Sequence, residues 1–125
     1  MASAQPKKEC VLIVEDDRDF RETLVDLLQA EGYRTAEAAN GREALARLQQ
    51  IGPPCLILLD LMMPVMNGWD FRERLRQDPA LAATPVAILT GVRNSLDDAA
   101  ALDAVGYFQK PLDFDALLAT VATYC

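Results

Sequence analysis

The sequence predicts an α/β domain with a doubly wound parallel sheet, covered by helices on both faces. Three observations carry that reading. Five short runs recur along the chain: CVLIV (10–14), RTAEA (34–38), LILL (56–59), VAIL (86–89) and GYFQ (106–109). Amphipathic stretches separate them, the alternation that βαβ units produce. The first, third and fourth runs are apolar throughout, as strands buried on both faces are. These three are therefore placed in the middle of the sheet, with the second and fifth, which mix in polar residues, at its margins.

Helices fill the intervals. Phe20, Leu24, Leu27 and Leu28 fall at i, i+4, i+7 and i+8, which draws one apolar stripe on a helix ending before Gly32. NGREALARLQQ supplies a second helix, stopped by Gly52-Pro53-Pro54, and a third runs from Trp69 to Gln77 ahead of Asp78-Pro79. SLDDAAALDA (95–104) is expected to form a fourth, and Phe114, Leu117, Leu118 and Val121 stripe a fifth. Repeats, linkers and low-complexity tracts are lacking. The 125 residues read as one (βα)5 domain over 9–125, preceded by a disordered lead-in, MASAQPKK (1–8).

Composition excludes several classes of function. Half of the residues are hydrophobic (51%), yet no apolar run is long enough to span a bilayer, and the first residues lack the apolar core of a signal peptide. A cytoplasmic protein without membrane insertion is the expectation. The net charge of −7 leaves no basic stripe to displace counterions from phosphates, so direct nucleic-acid binding is not expected. With no histidine, the chain lacks Ser-His-Asp and Cys-His catalysis and histidine metal sites. The three cysteines are widely spaced and read as neither a disulfide framework nor a metal knuckle. Cys10 and Cys55 open apolar strands, where a thiol is a small buried hydrophobe.

Ligands of doubly wound sheets bind beyond the carboxyl ends of the strands. Past strand 1 stand Glu15, Asp16 and Asp17; past strand 3, Asp60; past strand 4, Thr90 and Gly91; past strand 5, Lys110-Pro111. Each has an ordinary structural role available. Asp16 or Asp17 would cap the first helix, Asp60 or Thr90 a turn, and Lys110 would be a solvated surface lysine. Their convergence on one rim favours chemistry instead. Crowded carboxylates repel unless a proton or cation neutralises them, and an all-oxygen donor set suits a hard metal such as Mg²⁺. A carboxylate is also a competent phosphoryl acceptor, and a lysine and a hydroxyl can contact the added oxygens.

These residues resemble those of the response-regulator receiver domains of two-component signalling, over roughly residues 9–122. LIVED places the acidic pair at Glu15 and Asp16, and LLDLMMPVMNG resembles the acceptor segment, with Asp60 as the phosphorylated aspartate and Pro64 and Gly68 at the loop positions. ILTG places Thr90 as the switch hydroxyl, YFQKP places Lys110 as the phosphate-contacting lysine, and Tyr107 matches the switch aromatic. The resemblance implies a flavodoxin-like five-stranded sheet of order 2-1-3-4-5. It also implies a signalling protein whose only catalysis is its own Mg²⁺-dependent phosphoryl transfer and dephosphorylation.

By the same resemblance, Asp60 takes a phosphoryl group from a sensor histidine kinase or histidine phosphotransfer protein. Mg²⁺ is held by Asp16, Asp60 and the Met62 backbone carbonyl, with Glu15 acting through water. Phosphorylation draws in Thr90 and turns Tyr107 inward, which remodels a face read by a downstream protein target. The Thr90–Lys110 interval is about two residues shorter than is usual in such domains, so the fourth helix is expected to be short or mobile. Gly68 is expected to bear an unusual φ, and Met63 and Met66 to pack.

Rival readings fit less well. A haloacid-dehalogenase-type enzyme needs a second aspartate two residues after the acceptor, where Met62 stands. A flavodoxin-like electron carrier needs a phosphate-cradling first loop, which Glu15-Asp16-Asp17 would repel. A degenerate receiver that only binds a partner would not need the complete set of acids, hydroxyl and lysine. With no output segment after Cys125, the domain is expected either to signal through protein contacts or to be part of a longer chain.

Overall fold

The computed structural model describes residues 10–91 and 103–125. Its strands are β1 (Cys10–Val14), β2 (Arg34–Ala38), β3 (Leu56–Asp60), β4 (Val86–Thr90) and β5 (Gly106–Gln109), all parallel, in the order β2-β1-β3-β4-β5. The apolar strands are central and the mixed ones lie at the edges, as expected. The helices are α1 (Arg18–Ala30), α2 (Gly41–Ile51), α3 (Gly68–Gln77) and α4 (Phe114–Tyr124).

Side chains alternate across the pleat, so each central strand feeds two cores. Leu12, Val14, Ile57, Leu59, Val86 and Ile88 share one face with Ala44 and Leu48 of α2 and Phe71 and Leu75 of α3. Val11, Ile13, Leu56, Leu58, Ala87 and Leu89 share the other with Leu24 and Leu28 of α1 and Leu117 and Val121 of α4. No described helix is long and apolar enough to cross a membrane.

Every described helix begins on a side-chain cap. Asp17, Asn40, Asn67 and Asp113 accept from the backbone N–H of Phe20, Glu43, Asp70 and Ala116, which satisfies donors that the helix itself leaves open. Phe114 starts α4 but is exposed, so the buried stripe there runs from Leu117 to Val121. The lead-in and most of the helix expected over 95–104, with the proposal that it is short or mobile, lie outside the described residues. Its last two positions, Asp103 and Ala104, are coil, with Asp103 at φ 55°. A buried guanidinium, Arg72 of α3, donates from Nη2 to the Asp103 carbonyl at 3.4 Å.

Two expectations are corrected. Gly68 does not carry a positive φ; Val65, three residues earlier, does, at 69°. Glycine is required at 68 for space: a Cβ there would lie 2.7 Å from Leu61 Cα and 2.8 Å from the Asp60 carbonyl oxygen. The cysteines also depart from the sequence reading. Cys55 and Cys125 form a disulfide across 70 residues, Cα–Cα 5.4 Å, because α4 packs back along the sheet and ends beside the start of β3. Cys10 keeps a free, half-buried thiol whose pKa burial raises, consistent with a small packing residue.

Two outcomes are expected. Gly68→Ala should destabilise the protein by about 2 kcal/mol, the cost of overpacking, measured by urea unfolding under oxidising conditions. Cys125→Ser, or reduction of the wild type, should cost about 4 kcal/mol by loss of the closed loop; equal unfolding midpoints with and without reductant would contradict it.

Candidate functional site

Three strand ends and one helix start build the site. The ladder continues one residue past β1 and β5: Glu15 N–H donates to the Ala38 carbonyl at 3.0 Å and Lys110 N–H to the Thr90 carbonyl at 2.7 Å. Alternation then aims Glu15 (after Val11 and Ile13), Asp60 (after Leu56 and Leu58) and Lys110 (after Phe108) toward the α1 face of the sheet.

Glu15 is fully buried and fully engaged. Its Oε1 accepts from Lys110 Nζ at 2.6 Å and its Oε2 from Asp17 N–H at 3.1 Å. Arg21 holds the same loop from behind, donating to the Glu15 carbonyl at 2.7 Å and pairing with Glu37 at 3.1 Å. Asp17 is the cap of α1 (Phe20 N–H to Oδ1, 3.2 Å). Asp16 is exposed and points its carboxylate into the cluster: ligand oxygens of Glu15, Asp16 and Asp60 all lie within 4.8 Å of one another.

Asp60 is 3% exposed. Its Oδ1 accepts from Met62 N–H at 3.2 Å and its Oδ2 lies 3.8 Å from Lys110 Nζ. Burial, reinforced by the charge of Glu15 and a hydrogen bond with it, pushes the Asp60 carboxyl up to about 8; Lys110 and the Met62 amide pull the other way and do not prevail. Carboxylates this close, all presenting oxygen, suit a hard divalent cation, which would relieve that repulsion.

Of the residues expected from sequence, Glu15, Asp16, Asp60 and Lys110 come together directly. Thr90, fully buried, ends β4 one residue past Leu89, the register partner of Asp60. Tyr107 stands apart on β5, 38% exposed, its hydroxyl accepting from Ala104 N–H at 3.1 Å. Met62 contributes its amide to Asp60, while its side chain is exposed. Met63 and Met66 pack against the core, as expected. Two side chains at the site went unmarked in sequence. Arg21 is one. The other is Phe20, whose ring centroid lies 4.7 Å from Lys110 Nζ; its helical spacing marks it only as a core residue.

The folded metal-free protein binds a proton at Asp60 that the unfolded chain releases near pH 4. Stability should therefore fall as pH rises from about 4 to about 8. Asp60→Asn should remove this loss and be the more stable protein at pH 8, by on the order of a few kcal/mol. Urea unfolding of both proteins in EDTA at about pH 5 and about pH 8 measures the difference, and a difference that does not change with pH would contradict it.

The response regulator receiver domain model matches residues 11–122. The chain is 35% identical over 116 residues to the DNA-binding response regulator MtrA of Mycobacterium tuberculosis, covering 91% of this chain and 49% of the relative. It is 38% identical over 113 residues to the transcriptional regulatory protein CpxR of Klebsiella pneumoniae, covering 89% and 47%. The chain thus spans about half the length of the curated relatives it matches. Among solved structures, the chemotaxis response regulator CheY4 of Vibrio cholerae superposes with TM-score 0.83 at 32% identity, covering 95% of this chain and 100% of that one. The signal receiver domain of a histidine kinase from Syntrophus aciditrophicus gives TM-score 0.83 at 31% identity, covering 93% and 89%. With its five-stranded order and its acid-rich rim, this chain belongs to the response-regulator receiver domains, the phosphorylation-activated signalling switches of two-component systems.

Proposed function

We propose that Asp60 is the phosphoryl acceptor of this receiver domain and that its donor is a phosphohistidine on a sensor histidine kinase or a histidine phosphotransfer protein. One observation carries the reading: a buried carboxylate ends the central strand β3 with one oxygen held by the Met62 amide and the other facing Lys110 at 3.8 Å. In the transfer, the phosphorus–nitrogen bond to the imidazole breaks as a phosphorus–oxygen bond to Asp60 forms. The imidazole keeps the electron pair. These 125 residues contain no histidine, so the donor imidazole lies outside this domain.

Asp16, Asp60 and the Met62 carbonyl would hold Mg²⁺, with Glu15 contributing through water because both its oxygens already accept hydrogen bonds. The ion supplies charge neutralisation between the carboxylates and the incoming phosphoryl oxygens. Lys110 shifts its ammonium from Glu15 toward the new oxygens, and the Thr90 hydroxyl is drawn to them. Tyr107 leaves its exposed position and turns inward, so a local charge biases a two-state element. Water reverses the modification on the same residues, the only other reaction the domain runs. A downstream protein target reads the altered surface, in the cytoplasm, where Cys55–Cys125 is open to reduction. MtrA is named as DNA-binding; for this acidic domain, with net charge −7, we propose no direct contact with nucleic acid.

Intact mass after incubation with acetyl phosphate tests the reading. One added phosphoryl group is expected on the wild type with Mg²⁺, and none without Mg²⁺ or on Asp60→Asn. Labelling retained by Asp60→Asn would assign another acceptor.

A further inference from the structure

We infer that Phe20 is a positioning residue for Lys110: the face of its ring carries the lysine ammonium between Glu15 and Asp60. The inference rests on the reading of Asp60 as acceptor and Lys110 as the cation that meets the phosphoryl oxygens.

Lys110 Nζ has three neighbours of different kinds. Glu15 Oε1 is at 2.6 Å, Asp60 Oδ2 at 3.8 Å, and the Phe20 centroid at 4.7 Å. The first two compete for the ammonium. The third offers no hydrogen-bond acceptor, covers one side of the cation and attracts it through the ring quadrupole. The lysine side chain is 26% exposed, so without the ring that side would be open to water.

Phe20 is itself held firmly. It is the third residue of α1, and its N–H is bound by the cap Asp17, whose own N–H is bound by Glu15. Its side chain packs on the cluster containing the buried Leu24 and Leu28, together with the partly buried Phe108 and Leu112. One short segment, Glu15 to Phe20, therefore presents to Lys110 both the carboxylate it rests on and the ring it lies against.

The ring has a distinct consequence for transfer. Lys110 must move off Glu15 to reach a phosphoryl group on Asp60. An attraction to an extended ring face weakens gradually with lateral displacement, whereas a 2.6 Å hydrogen bond is lost within a short movement. The ring keeps the ammonium in the site while it changes partners. An aliphatic side chain of similar bulk fills the same space without that attraction.

The test uses Phe20→Leu, Phe20→Tyr and Phe20→Trp with Mg²⁺ and acetyl phosphate, all checked for cooperative unfolding. Phe20→Leu is expected to slow initial labelling about fivefold, and Phe20→Tyr and Phe20→Trp to restore most of the rate. In ¹³C-resolved NMR of the unphosphorylated protein, the Lys110 ε-methylene protons are expected upfield by the ring current in the wild type and at ordinary positions in Phe20→Leu. Wild-type labelling with Phe20→Leu equally fast would overturn the inference, as would equal loss in all three variants or the absence of an upfield shift. A wild type that does not label at all would instead overturn the acceptor reading, and the ring's role in transfer with it, while the NMR shift still reports whether ring and ammonium meet.

Discussion

Lys110 and Glu15 come from opposite ends of the fold, 95 residues apart, and meet at 2.6 Å over the carboxyl edge of the sheet. That contact joins the end of β5 to the end of β1, across β3 and β4. A buried glutamate without it would be an uncompensated charge, which proteins tolerate poorly. Yet one lysine faces three carboxylates, and the pair it makes with Glu15 leaves Asp60 as the unbalanced member. Burial raises the Asp60 pKa, and the neighbouring Glu15 charge adds to the shift. Counted as ionised carboxylates, the edge sets three negative charges against one ammonium and is two positive charges short, a state well suited to a group that arrives with a divalent ion.

The loop after β3 is shaped by close backbone approach. Gly41 N–H donates to the Met66 carbonyl at 3.1 Å, and Gly68 N–H to the Leu61 carbonyl at 3.0 Å. Both glycines lack room for a Cβ: at Gly41 it would meet Met66 Cγ at 2.8 Å. The loop is thus gripped by the first residue of α2 on one side and the first residue of α3 on the other. Between the grips, Val65 adopts a φ of 69°, an uncommon conformation for a β-branched side chain. Geometry at the acceptor depends in this way on two helices that carry none of the reacting groups.

How much of this could be read from the chain depends on the range of the signal. β1, β3 and β4 were legible because burial on both faces leaves continuous apolar runs, and their ends then marked Glu15, Asp16, Asp60 and Thr90 for the rim. Lys110 followed from β5 despite its mixed composition. Gly68 was legible as a necessary glycine, but the letter does not say whether it serves a dihedral or a close contact. Val65 gave no sign of its conformation. Cys55 and Cys125 meet only because α4 returns beside β3, a tertiary event with no local trace. Phe20 sits correctly on the α1 stripe, and its second neighbour emerges only when β5 is placed beyond β4.

The disulfide has a topological consequence. Cys55 and Cys125 close a covalent ring that begins just before β3 and ends with α4. Asp60, Thr90, Tyr107 and Lys110 all lie on that ring, while Glu15, Asp16 and Phe20 lie on the open arm before it. A single backbone cut anywhere between residues 56 and 124 leaves one molecule, its fragments still joined through sulfur. The acidic arm, by contrast, is held to the ring by one peptide connection and by the contacts of the sheet edge, so half of the site is covalently secured and half is held by folding alone.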